Sequence, residues 1–104
     1  MTRYTHDNII PKLRHYFLTQ PVVRAWLFGS YSRGEESANS DVDILLEFDP
    51  KENVTLFTMG VMHSALTSLL NRAVDLVEAD TLRPFAISSV NRDKILIYER
   101  NNPR

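Results

Sequence analysis

Three aspartates carry the chemistry most legible in this sequence. Asp41 and Asp43 stand one residue apart at the head of the run DVDILLEF, and Asp75 sits near the start of a second apolar run, AVDLVEA. Strand side chains alternate between faces, so Asp41 and Asp43 should share one face about 7 Å apart along the backbone. Two carboxylates that close repel unless something positive sits between them. A hard divalent cation fits, because Mg²⁺ takes a few carboxylates and completes its octahedron with phosphate oxygens and water.

The preceding stretch, FGSYSRGEESANS, supplies the complement. Gly29 ends an apolar run and lets backbone approach a ligand closely. Ser30 offers a hydroxyl where a helical turn begins, and helix N-termini attract anions. Arg33 brings a fork-shaped donor for phosphate oxygens. Acidic metal ligands beside a phosphate cradle are the parts of nucleotidyl or phosphoryl transfer, in which two metal ions about 3.5–4 Å apart clamp the attacking and leaving oxygens. Such a site wants a third carboxylate, and Asp75 is the candidate, since its side chain points away from Val74 and Leu76. Glu47 shares the face of Asp41 and Asp43 but lies farther from the Gly-Ser turn, and is not read as a ligand.

A scaffold must bring these segments together. Ile9, Ile10, Leu13 and Phe17 recur at helical spacing and predict a helix over about 7–19, with Asn8 as N-cap and Pro11 in its first turn. PVVRAWLFG reads as a buried strand with Trp26 in the core. DVDILLEF is the clearest strand, with Val42, Ile44, Leu46 and Phe48 on its apolar face. After the Asp49-Pro50 turn, Val54, Phe57, Val61, Met62, Ala65, Leu66 and Leu69 form a helical stripe behind Asn53 as cap. That stripe reads as core, with Met59, Met62 and outward leucines open to a partner. AVDLVEA is a third strand, a short helix over about 82–90 follows, and KILIYE closes the chain as a last strand. The order αββαβαβ predicts an α/β (α+β) fold, a small mixed sheet of about four strands covered by helices. His6, His15 and His63 show no metal-ligand spacing and read as surface or boundary residues.

At 104 residues the chain suits one domain over 1–104 with a single modest core. Twelve Lys and Arg against thirteen Asp and Glu leave almost no net charge, which argues against a general nucleic-acid binder. No cysteine is present, which suits a reducing compartment. No apolar signal core and no run approaching the roughly 20 residues of a membrane span is visible, so a cytoplasmic location with no membrane contact is expected.

GSYSRGEESANSDVD closely resembles the signature of the polymerase-beta-like nucleotidyltransferases: a Gly-Ser pair, then Arg-Gly, then Ser-Asp-x-Asp. The later VDLV resembles that superfamily's third acidic strand. Gly29, Ser30, Arg33, Gly34, Ser40, Asp41, Asp43 and Asp75 all fall in step. The short chain and the ending RDKILIYE look like the minimal nucleotidyltransferases, the MNT group, encoded beside helical HEPN proteins as antitoxin and toxin. The resemblance implies Mg²⁺-dependent transfer of a nucleoside monophosphate, AMP from ATP, to a hydroxyl with release of pyrophosphate, the acceptor being a tyrosine of the HEPN toxin. It implies that Asp41 and Asp43 bind two metal ions. Asp75 would complete the nucleophile-side metal and help deprotonate the acceptor. Gly29 and Ser30 would hold the triphosphate, supported by Arg33 and Ser40.

Taken singly, each of these residues has a plainer role. Asp-x-Asp heads many solvated strand edges, Arg33 suits a salt bridge to Glu35 or Glu36, and Ser40 suits a turn. The alternative function is a catalytically silent antitoxin that neutralises its partner by complex formation, although a pure scaffold has no need of three clustered carboxylates. Transfer to a small molecule or RNA is disfavoured by the size and near-neutral charge. The residues leave the nucleotide preference and homo-oligomerisation open.

Overall fold

The computed structural model describes residues 3–29, 41–81 and 90–100, with residues 3–8 as backbone alone. Its elements run α1 (Arg3–Phe17), β1 (Val22–Phe28), β2 (Val42–Phe48), α2 (Leu56–Leu70), β3 (Val74–Glu78), a 3₁₀ turn (Ala79–Thr81) and β4 (Ile95–Glu99). A helical turn at 90–93 precedes β4. The expected helix over 82–90 falls mostly outside the described residues.

The four strands form one mixed sheet in the order β3-β2-β1-β4. β1 pairs antiparallel with both β2 and β4, whereas β2 and β3 are parallel. β1 and β2 run antiparallel, and the longer connection through α2 returns the chain in the same sense as β2, as a parallel neighbour requires. The mixed α+β architecture read from the pattern is thus the one observed. Among the described residues, no helix is long and apolar enough to cross a membrane.

The core lies on one sheet face. Ile9, Leu13 and Phe17 from α1 and Met62, Leu66 and Leu70 from α2 pack over Ala25, Leu27, Val42, Ile44 and Leu46. Phe17 is fully buried and its ring lies 5.8 Å from that of Tyr98. Phe17→Ala is therefore expected to cost about 3–5 kcal/mol, read as a lowered urea midpoint at unchanged slope; a loss under 1 kcal/mol would contradict this placement.

Helix α1 starts at Arg3, four residues before the expected start, so Pro11 sits inside the helix and Asn8 is not its cap. Proline there gives up one backbone bond. Ile9, two residues ahead of it, is nevertheless buried in the core.

Helix α2 also differs from expectation. Its cap is Thr55, not Asn53: Thr55 Oγ1 accepts the Thr58 N–H at 3.2 Å while the Thr55 N–H donates to Thr58 Oγ1 at 3.1 Å. Its buried stripe is the narrow i, i+4 row Met62, Leu66, Leu70. Phe57, Val61 and Leu69 face outward, with Phe57 80% exposed. A helix lying on a flat sheet buries one line of side chains, and this helix is apolar on every side, so periodicity alone could not choose the line.

Asp49 closes the end of β2. It accepts the Lys51 backbone N–H at 2.9 Å and the Arg100 Nη1–H at 2.6 Å. Those two bonds, in that order, hold its pKa below the ordinary carboxylate value. The folded chain thus binds this proton less readily than the unfolded one. The associated stability is present above the unfolded pKa and is lost as pH falls through the folded one. Asp49→Asn is expected to flatten the stability curve below about pH 4, measured by urea unfolding at stepped pH; an unchanged slope would contradict it.

Candidate active site

The site is built by register. Because β2 and β3 run parallel, their heads lie together: the Val42 N–H donates to the Ala73 carbonyl at 2.9 Å, and Asp43 stands directly beside Asp75. Because β1 runs the other way, its end meets the head of β2, with Phe28 opposite Asp43 and Gly29 one step on. Adjacent strands are about 4.8 Å apart, so Asp43 and Asp75 are close like-charged neighbours. Both point away from the core, since Val42, Ile44, Val74 and Leu76 take the core face between them.

Gly29 has φ +71°, a left-handed conformation that glycine adopts without cost. A Cβ built there would run into the Asp43 side chain, with Asp43 Cγ only 3.2 Å away. The missing side chain is what gives the Asp43 carboxylate its place beside the strand end.

The face bearing these carboxylates is tiered. Below Phe28, Asp43 and Asp75 lies an apolar tier formed by Leu96, Trp26, Leu45 and Val77 in lateral register. Below that, Arg24 donates to Glu47 at 2.8 Å and to Glu99 at 2.9 Å. Hydrogen bonds to Glu47 and then Glu99 raise the Arg24 pKa further and keep it charged. Glu47 is thus tied to Arg24, about 13 Å along the strand from Asp43, which accounts for its absence from the acidic group. Trp26, expected in the core, sits half-buried in the apolar tier instead, with the Lys94 ammonium 4.5 Å above its ring. Leu45 in the same tier is 1% exposed yet lies outside the main core, so both faces of the sheet bury apolar side chains.

Asp41 lies one residue before β2 and is exposed, as is Asp75; Asp43 is half-buried. Among the described residues, no three His, Asp or Glu side chains are gathered into a group that could hold a metal ion. The strand register adds Asp75 as the lateral neighbour of Asp43. Ser30, Arg33, Gly34 and Ser40 lie outside the described residues. The donor chemistry still fits a hard cation: anionic oxygens on adjoining strands, beside a backbone cradle that a side chain would fill.

One contact near this site has no signature in the sequence. His63 on α2 places Nε2 2.8 Å from the Val74 carbonyl, one residue ahead of Asp75. A lone histidine twelve residues upstream gives no spacing to detect.

The mixed sheet thus carries two aspartates at its parallel heads, beside a strand that ends in glycine. The family model described as polymerase beta, nucleotidyltransferase matches residues 8–103, and the chain belongs to that family. It is similar to the protein adenylyltransferase MntA of Thermococcus cleftensis, at 37% identity over 71 residues, covering 68% of this chain and 70% of that one. A crystal structure of a toxin-antitoxin with AMP-PNP superposes with a TM-score of 0.69 at 26% identity, covering 90% of this chain and 73% of the other. An MNT antitoxin in complex with a tri-AMPylated HEPN toxin from Shewanella oneidensis shares the fold, with a TM-score of 0.63 at 22% identity over 96% of this chain and 74% of that one. The chain is accordingly a nucleotidyltransferase by family, with protein adenylyltransferases among its relatives.

Proposed function

We propose that this chain is a Mg²⁺-dependent protein adenylyltransferase that passes AMP from ATP to a tyrosine hydroxyl of a helical HEPN toxin, acting in the cytoplasm as that toxin's antitoxin. The observation that carries the reading is the register pairing of Asp43 with Asp75 beside Gly29. The antitoxin relationships of the structural neighbours support the choice of acceptor, and AMP-PNP in one of them supports the donor. The whole of 1–104 serves as one nucleotidyltransferase domain.

In this reading Asp41, Asp43 and Asp75 hold two divalent ions. Gly29 and Ser30 cradle the triphosphate, with Arg33 and Ser40 in support. Bound Mg²⁺ would neutralise phosphate charge as it builds during transfer. The acceptor oxygen attacks the α-phosphorus, the bond from that phosphorus to the bridging oxygen breaks, and pyrophosphate leaves. Asp75 is exposed on β3, an edge strand among the described residues, where it can take the acceptor's proton as the new bond forms.

Purified protein with ATP, Mg²⁺ and its co-purified partner is expected to release pyrophosphate in step with partner modification, and EDTA should stop both. Absence of pyrophosphate with the partner present would sink this reading.

A further inference from the structure

We propose that His63 is a positioning residue that sets Asp75 by holding the backbone one residue ahead of it. Among the described residues, β3 is an outer strand, paired with β2 on one side only. The Ala73 carbonyl accepts from Val42 and therefore faces inward. Backbone groups alternate along a strand, so the Val74 carbonyl faces the outer edge, where none of the described strands pairs with it. His63 takes that place. Its Nε2 lies 2.8 Å from the Val74 oxygen, and since a carbonyl only accepts, Nε2 carries the hydrogen.

Helix α2 can supply this bond because Met62, the neighbouring residue, is locked into the core with Leu66 and Leu70. At its far end Asn71, at φ 55°, turns the chain straight back towards β3. The bond therefore links a helix anchored in the core to an edge strand of the sheet. The register it holds matters, because a one-residue slip would turn Asp75 to the core face and take it from beside Asp43. His63 opposes that slip and fixes the place of Asp75 beside Asp43.

The activity arm of the test rests on the adenylyltransferase reading; the other arms do not. His63→Leu removes the donor at similar size, whereas His63→Gln places an amide where Nε2 lies. Three quantities are measured on the full chain: hydrogen exchange of the β3 amides, Mn²⁺ affinity with ATP present by electron paramagnetic resonance, and transfer to the partner. His63→Leu is expected to speed exchange across Asp75–Val77, to weaken Mn²⁺ binding about tenfold, and to raise the metal concentration needed for half-maximal transfer. His63→Gln should restore most of each. If wild type, Leu and Gln forms exchange and bind Mn²⁺ alike, the proposal is overturned. If His63→Leu fails to fold by circular dichroism, His63→Asn, whose amide stops short of the carbonyl, takes its place, and equality with Gln overturns the proposal. If wild type binds Mn²⁺ and ATP but transfers nothing, the adenylyltransferase reading fails, while exchange and affinity still decide the role of His63.

Discussion

Changing Asp41 and Asp43 together to asparagine is expected to lower nucleotidyl transfer by about a thousandfold or more while leaving the fold and the complex with the partner intact. The substitution is nearly isosteric and removes only charge. Carboxylate-held metal supplies several kcal/mol of stabilisation to charge developing on a transferring phosphoryl group; about 4 kcal/mol corresponds to about a thousandfold in rate. The fold should survive because Asp41 is exposed and Asp43 faces away from the core. Initial rates with labelled ATP, set beside circular dichroism of the same samples, give the comparison. Unchanged rates would remove both carboxylates from the mechanism. A companion effect runs the opposite way: without metal, Asp75→Asn should stabilise the chain by up to about 1 kcal/mol, because it removes a like charge directly across from Asp43.

The second large effect is expected at Gly29. Gly29→Ala asks an L side chain to hold φ +71°, which costs about 1–2 kcal/mol. It also drives a methyl group into the Asp43 carboxylate, so that Asp43 must leave its position beside the strand end. Displacement of a reacting or metal-holding group by about 1 Å costs on the order of a hundredfold. Gly29→Ala should therefore lose both stability and activity, the activity far beyond what the unfolded fraction explains. Transfer rates measured at a temperature where the variant is fully folded separate the two. Wild-type rates there would mean that the Asp43 position is immaterial.

The strands were legible because their patterns were decisive. In DVDILLEF the apolar residues Val42, Ile44, Leu46 and Phe48 alternate with Asp43 and Glu47, and that alternation sets which face carries charge. Asp75 between Val74 and Leu76 is readable for the same reason. What alternation leaves undetermined is which strands pair and in which register. Local spacing puts Asp41 near Asp43, and long-range pairing is what adds Asp75 beside Asp43 and brings Gly29 against it. Neither contact is encoded in any short window.

The helices were less legible where composition is uniform. LFTMGVMHSALTSLL contains no charged residue, so nothing along it marks an outer face, and Phe57, Val61 and Leu69 could be assigned inward as readily as Met62, Leu66 and Leu70. Trp26 misled for a related reason. An aromatic in a strand suggests core, but both faces of this sheet bury apolar side chains, and Trp26 belongs to the face that also bears the carboxylates. His63 acts on a backbone carbonyl, and a backbone partner leaves no trace in residue types.

The most direct test of the proposed transfer is intact-mass spectrometry of the co-purified partner chain after incubation with Mg²⁺ and each of the four nucleoside triphosphates, using wild type and the Asp41→Asn, Asp43→Asn double variant. The expected result is a mass increment of one or more AMP units on the partner, with ATP and wild type only. A partner of unchanged mass in a complex that still forms would contradict catalysis and leave neutralisation by binding alone.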